Sequence, residues 1–175
     1  HNILNATASI IASKLIGVKN NSINTALKNY IGVKRRFTFL GKKNNALIYD
    51  DYAHHPTEIK ATLEAAKGLK NNIVVVFQPH RFSRTKILMK EFLNVLSKVK
   101  NLIILKTYPA GEKSIKGYTS VDIYNKLLIR NKRIIYLPEI NNLDECLTHY
   151  TRKKNTIIFM GAGSISNIAK NYLKN

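Results

Sequence analysis

Four short, nearly unbroken apolar runs constrain this chain more than anything else in it: Ile73-Val74-Val75-Val76-Phe77, Leu102-Ile103-Ile104-Leu105, Ile134-Ile135-Tyr136-Leu137 and Thr156-Ile157-Ile158-Phe159-Met160. None alternates polar with apolar, as a strand with one wet face does. Runs of this kind read as strands buried on both sides, the habit of a parallel sheet. Helical patterns fall between them, through Ile59, Leu63 and Ala66 after Pro56, then Leu88, Phe92, Val95 and Leu96, then Ile123, Tyr124 and Leu127 behind Ser120 as a cap. A helix around Leu143 to Tyr150 and another after a glycine turn complete the series. Strands alternating with amphipathic helices predict an α/β fold, a mostly parallel sheet with helices on both faces. A hairpin should open it, with Phe37 to Leu40 and Ala46 to Asp50 joined by the polar turn Gly41 to Asn45.

Two helices precede this pattern. Ile3, Leu4, Ala6, Ile10, Ile11 and Leu15 recur at helical spacing before a stop at Gly17. Ser22 is a natural cap for the second helix, whose Ile23, Ala26, Leu27 and Tyr30 should face inward. The pattern breaks at Gly32-Val33-Lys34-Arg35-Arg36-Phe37, which predicts a boundary between residues 1–31 and 32–175. The chain begins His1-Asn2 directly on a helix, so further sequence is expected upstream.

Composition narrows the function classes. At 175 residues a domain of this kind buries about 70% of its unfolded surface, so a real core is expected. No apolar run approaches the roughly 20 residues of a membrane span. The single cysteine, Cys146, excludes an internal disulfide framework and reads as a helix-packing residue. With no signal-peptide pattern at the start, a cytoplasmic setting is expected. The net charge of +19 raises nucleic acid as a partner, and a non-catalytic basic nucleic-acid-binding domain is the alternative reading. The lysines are scattered rather than clustered, beside abundant Asn, Ile and Tyr, and no aromatic stacking series accompanies them.

Polar residues gather where strands end. Asp50, Asp51, Tyr52, His54 and His55 follow one strand, Gln78, His80, Arg81 and Arg84 the next, and Tyr108, Gly111 and Glu112 a third. In open α/β sheets such loops share one edge, where ligands bind. Two guanidiniums three residues apart beside an imidazole suit a carboxylate or phosphate. Asp51 and His54 admit metal ligation, a base with its partner, or helix capping; no recognised metal-ligand spacing is present, and no metal site is assigned. His55, just before Pro56, reads as a residue that fixes the backbone. Gly161-Ala162-Gly163-Ser164-Ile165-Ser166 imitates a dinucleotide fingerprint and raises an oxidoreductase as a rival, but the third glycine is absent.

Several stretches, in order along almost the whole chain, resemble the Mur ligases: His1-Asn2-Ile3-Leu4-Asn5-Ala6, Gly32 to Phe37, Asp50-Asp51-Tyr52-Ala53-His54-His55-Pro56-Thr57-Glu58, Phe77 to Thr85, Tyr108-Pro109-Ala110-Gly111-Glu112, and Gly161 to Ile165. The resemblance is strongest to the branch that joins L-alanine to UDP-N-acetylmuramate. It implies the C-terminal portion of such a ligase: a Rossmann-like domain preceded by the last two helices of a truncated central ATPase domain. It further implies ATP as co-substrate with Mg2+, whose ligands and phosphate-binding loop lie upstream, and peptidoglycan synthesis as the pathway. By the family's pattern, Asn2, Asn5, Arg36 and Asp51 resemble nucleotide contacts. Tyr52, His54, His80, Arg81 and Arg84 resemble the amino-acid site, with His54 and Arg81 as the catalytic candidates. For His54 the roles of base, orienter and substrate contact all stay open. The 175 residues alone are expected to be inactive.

Overall fold

A computed structural model describes residues 2–30, 32–69, 71–129 and 133–174. The chain divides into two compact units, His1–Val33 and Lys34–Asn175.

In the first unit, α1 (Asn2–Leu15) and α2 (Asn20–Lys28) form where apolar residues recur at helical spacing. Gly17, at φ 83, closes α1: its N–H donates to the Lys14 carbonyl and that of Val18 to Ser13. This is the glycine stop the sequence predicts. Ser22 is not the cap of α2, which begins two residues earlier behind Lys19, leaving Ser22 inside the first turn. The inward face is also smaller than its period suggests. Ile23 is buried, whereas Ala26, Leu27 and Tyr30 are exposed and Ile3 and Leu15 are each 82% exposed. Helical periodicity defines an apolar face, but it does not supply the surface that covers it.

The second unit is a six-stranded sheet in the order β1-β2-β6-β3-β4-β5. β1 (Thr38–Lys43) pairs antiparallel with β2 (Ala46–Asp51), and β2, β6 (Asn155–Met160), β3 (Asn72–Phe77), β4 (Asn101–Leu105) and β5 (Ile134–Leu137) run parallel. Side chains alternate between two cores. Val75 and Phe77 pack with Ile59 of α3 (Pro56–Lys67), Phe92 and Leu96 of α5 (Met89–Leu96) and Ile123 of α6 (Ser120–Leu128). Val74 and Val76 face Leu147 of α7 (Leu143–Thr151) and Ile168 and Tyr172 of α8 (Ile165–Lys174). Both faces of the sheet are therefore covered, as continuous apolar strands require.

Three local expectations need correcting. The β1–β2 turn is the pair Asn44-Asn45; Gly41 to Lys43 belong to β1, because a bulge between Phe39 and Gly41 shifts the register. The helix through Leu88 is two helices, α4 (Phe82–Ile87) and α5, broken at Leu88, where the backbone leaves helical geometry. Thr119, not Ser120, caps α6: its hydroxyl accepts the Asp122 amide while the Asp122 carboxylate accepts from Thr119. Ser120 instead trades hydrogen bonds with Thr107 at the end of β4. Among the described residues no helix is long and apolar enough to cross a membrane.

Candidate functional site

The sheet order carries the four polar loops to one edge. β6 lies between β2 and β3, so its glycine turn is flanked by the loops that leave those strands, and β4 stands next in line. The carbonyl of Asp51 accepts from Gly161 N, and that of Met160 accepts from Gln78 N, stitching the three strand exits together.

Asp51 anchors the exit of β2. Its two oxygens accept the amides of Ala53 and Phe37, each at 2.7 Å, and the residue is 4% exposed. Burial raises its pKa, against the lowering effect of those amides, Thr62 and the Arg36 charge. Four residues on, His55 caps α3: its Nδ1 accepts the Thr57 amide and Glu58 reaches back to the His55 amide. His55 thus fixes the backbone, as its place before Pro56 suggests. Burial pushes Glu58 upward, but the His54 amide and charge and the His55 amide outweigh it, leaving the carboxyl below its ordinary range.

Two imidazoles stand 6.0 Å apart across the loops of β2 and β3. His54 Nδ1 lies 2.9 Å from the Tyr52 carbonyl and 3.4 Å from Glu58 Oε2. Both neighbours only accept, so Nδ1 carries the proton and Nε2 keeps its lone pair in the neutral ring. His80 is the converse. Its Nδ1 lies 3.0 Å from Arg84 Nη1, a group that only donates, so the neutral ring holds its proton on Nε2. Burial and then the charges of Arg84, His54 and Arg81 lower the His80 pKa. Tyr108 stacks on this ring at 5.4 Å, and Tyr52 meets His54 edge-on at 5.1 Å.

Arg81 has φ 71, a conformation rare outside glycine. Its amide donates to the Tyr108 carbonyl, and its Nη1 sits 3.6 Å from Glu112. Glu112 also accepts the amide and hydroxyl of Ser83, and that hydroxyl is the first cause of its lowered pKa. The edge thus presents two guanidiniums, a neutral N–H donor and an imidazole with a free lone pair. It can hold an anion and take a proton beside it. A separate cleft of about 540 Å³ opens between α3 and α5, away from these groups.

Residues 35–163 match the model of the Mur ligase, glutamate ligase domain. The chain belongs to the Mur ligase family. It is 43% identical over 176 residues to the UDP-N-acetylmuramate–L-alanine ligase of Hydrogenobaculum sp. strain Y04AAS1, covering 99% of this chain and 38% of that protein. The same-named protein of Legionella pneumophila subsp. pneumophila strain Philadelphia 1 is 41% identical over 181 residues, again with 38% of its length matched. The crystal structure of the Thermotoga maritima UDP-N-acetylmuramate–alanine ligase superposes with a TM-score of 0.79 at 26% identity, covering 99% of this chain and 37% of that one. The chain thus spans well under half the length of these relatives. None of them supports the nucleic-acid alternative.

Within this Mur ligase domain, Tyr52, His54, His80 and Arg84 come together, with Arg81 held beside them by Glu112. Arg36 is near enough for its charge to lower the Asp51 and Glu58 carboxyls. Asn5 belongs to the first unit, and the side chain of Asn2 lies outside the described residues. The glycine turn is closely packed: a Cβ at Gly161 would lie 2.8 Å from the Gln78 carbonyl oxygen, and one at Gly163 would lie 2.4 Å from Tyr108 Cγ.

Sequence reasoning assigns no role to Arg35, Glu58, Gln78 or Glu112. Arg35 Nη2 donates to the Gly161 carbonyl at 2.6 Å, its Nε lies 3.5 Å from Asp50, and its guanidinium covers the Tyr52 ring at 4.6 Å. Gln78 Oε1 accepts the Ile165 amide and its Nε2 donates to Ser164. Glu58 was detectable as an acid at the third position of a helix behind Pro56. For Arg35 there was no comparable signal.

Proposed function

We propose that this chain is the C-terminal part of a cytoplasmic, ATP-dependent, ADP-forming ligase that joins L-alanine to the lactyl carboxylate of UDP-N-acetylmuramate in peptidoglycan synthesis. In this reading the carboxylate takes the γ-phosphoryl group of ATP and releases ADP. The alanine amine then attacks the acyl carbon, and phosphate leaves as the amide forms. Catalysis of this kind is mainly positioning and charge stabilisation. The observation that carries the proposal is the pairing at the sheet edge of the Arg81 and Arg84 guanidiniums with the His54 imidazole, whose Nε2 is open to accept a proton.

Arg84 and Arg81 would grip the alanine carboxylate, with the His80 Nε2–H as a further donor and Tyr52 as a wall. His54 would receive a proton from the alanine ammonium, the resulting imidazolium being stabilised by Glu58 at 3.4 Å. The nucleotide contacts belong to the same proposal, as Asn2, Asn5, Arg36 and Asp51. Asp51 already serves two amides, so a ribose hydroxyl would use its remaining lone pairs. The proposal leaves Mg2+ to ligands outside residues 1–175, as the family's pattern implies. Residues 1–31 would be the end of a central ATP-binding domain.

The test is Arg84→Ala in the full-length gene product. The KM for L-alanine should rise far more than that for ATP, with a loss of about 2–5 kcal/mol in binding. Equal effects on both substrates would sink the carboxylate-clamp role.

A further inference from the structure

We propose that Glu112 is a positioning and specificity residue: it holds Arg81 in place and trims the clamp to a net single positive charge, matched to one carboxylate rather than to a phosphate. This deepens the proposed function and rests on it for the identity of the carboxylate.

Two strained loops meet at this side chain. Arg81 sits at φ 71, and the turn that delivers Glu112 runs through Ala110 at φ 50 and Gly111 at φ 85, closed by the Glu112 amide donating to the Pro109 carbonyl. Non-glycine residues in this region cost free energy and persist only where surrounding contacts hold them. Glu112 provides such contacts. One oxygen accepts the Ser83 amide at 2.9 Å, and the other accepts the Ser83 hydroxyl at 2.5 Å and faces Arg81 Nη1 at 3.6 Å. The loop after β3 is thereby tied to the loop after β4 through one carboxylate. Arg84 has a different tether, the ring and carbonyl of His80, which adds no charge.

The charges set the specificity. Arg81 and Arg84 contribute two positive charges and Glu112 one negative, while His80 is neutral when it accepts from Arg84. Two free guanidiniums would favour a dianionic phosphate; with Glu112 beside them the site favours a monoanion. Since phosphate is a product of the proposed reaction, the same carboxylate would keep product from occupying the alanine site.

The experiment compares Glu112→Gln and Glu112→Asp with wild type in the full-length gene product. For Glu112→Gln the KM for L-alanine should rise about five- to tenfold, while the inhibition constant of inorganic phosphate against L-alanine falls by about the same factor. The KM for ATP should stay unchanged. Glu112→Asp keeps the charge but shortens the reach, so it should raise the alanine KM and leave phosphate inhibition at the wild-type level. A merely structural loss would weaken both ligands together, and that outcome, or no change in either, overturns the proposal. Absence of alanine-dependent ADP formation in wild type would instead overturn the functional reading. Titration of the 175-residue chain with inorganic phosphate then decides Glu112 separately: tighter binding by Glu112→Gln supports it, and equal binding refutes it.

Discussion

His54 and His80 have the same side chain and opposite proton placements, and the difference comes entirely from what faces Nδ1. A carbonyl and a carboxylate face it in His54, a guanidinium in His80. Protonating His80 would set a cation against Arg84 and lose the acceptor. Its folded pKa therefore lies below the ordinary 6.5, with burial the larger cause and neighbouring positive charge the next. A depressed pKa stabilises the fold above the unfolded value and ceases to as pH falls through the folded one. Wild type should thus lose urea resistance between about pH 7 and pH 5 more steeply than His80→Gln, whose amide oxygen still accepts from Arg84. Parallel slopes in the two proteins would refute it. At this scale the convergence of the guanidiniums and imidazoles was legible in the sequence, since each follows the end of a strand. Which of two adjacent arginines turns toward the strand ends was not. Arg35 takes φ 62 and reaches Gly161, Asp50 and Tyr52, a choice set by backbone geometry.

Among the elements, β6 and its glycine turn decide how the site is assembled. This strand comes last in the chain yet inserts between β2 and β3, a pairing between residues more than a hundred positions apart in the case of β2. Apolar content and length identified the strand, because both faces had to be buried. Its place in the order depends on long-range packing, which no local pattern encodes, so the glycine turn was legible but its closeness to Gln78 and Tyr108 was not. The turn is a spacer so thin that Gln78 and Tyr108 close over it. Gly163→Ala should force Tyr108 away, since the new methyl would lie 2.4 Å from its Cγ. The stacked His80 ring should shift with it. Overpacking of this kind costs about 1–3 kcal/mol, measurable as a lowered urea midpoint. Alanine binding should weaken at the same time. Unchanged stability would mean that Tyr108 has room to retreat. The helix caps show a limit of local information too: the sequence predicts the α6 cap at Ser120, and the Thr119–Asp122 box one residue earlier takes that role, because Ser120 is drawn to Thr107 beyond β4.

For the whole molecule, apolar surface and chemistry point the same way. The second unit encloses its own two cores, whereas in the first unit α1 carries Ile3, Leu4, Ile11 and Leu15 as an apolar stripe that α2 leaves more than half exposed. The proposed function reads the edge that gathers Arg81, Arg84 and His54 as an anion clamp and a proton acceptor, without a phosphate-binding loop among its residues. Under the proposed function the partner for both is the same: the rest of an ATP-binding domain, which would cover the stripe and bring the acyl phosphate to the clamp. The 175-residue chain should therefore show no alanine-dependent ADP formation, while the full-length gene product should show it. Joining the chain to the upstream portion of the Hydrogenobaculum relative should likewise restore turnover and reduce exposure of the stripe, read as lower binding of a hydrophobic dye. Genomic DNA upstream of the His1 codon is expected to encode a glycine-rich Lys-Thr loop in frame. Turnover by the 175 residues alone would mean that the clamp and its imidazoles suffice for chemistry now attributed to a second domain, and the division of labour argued above would have to be abandoned.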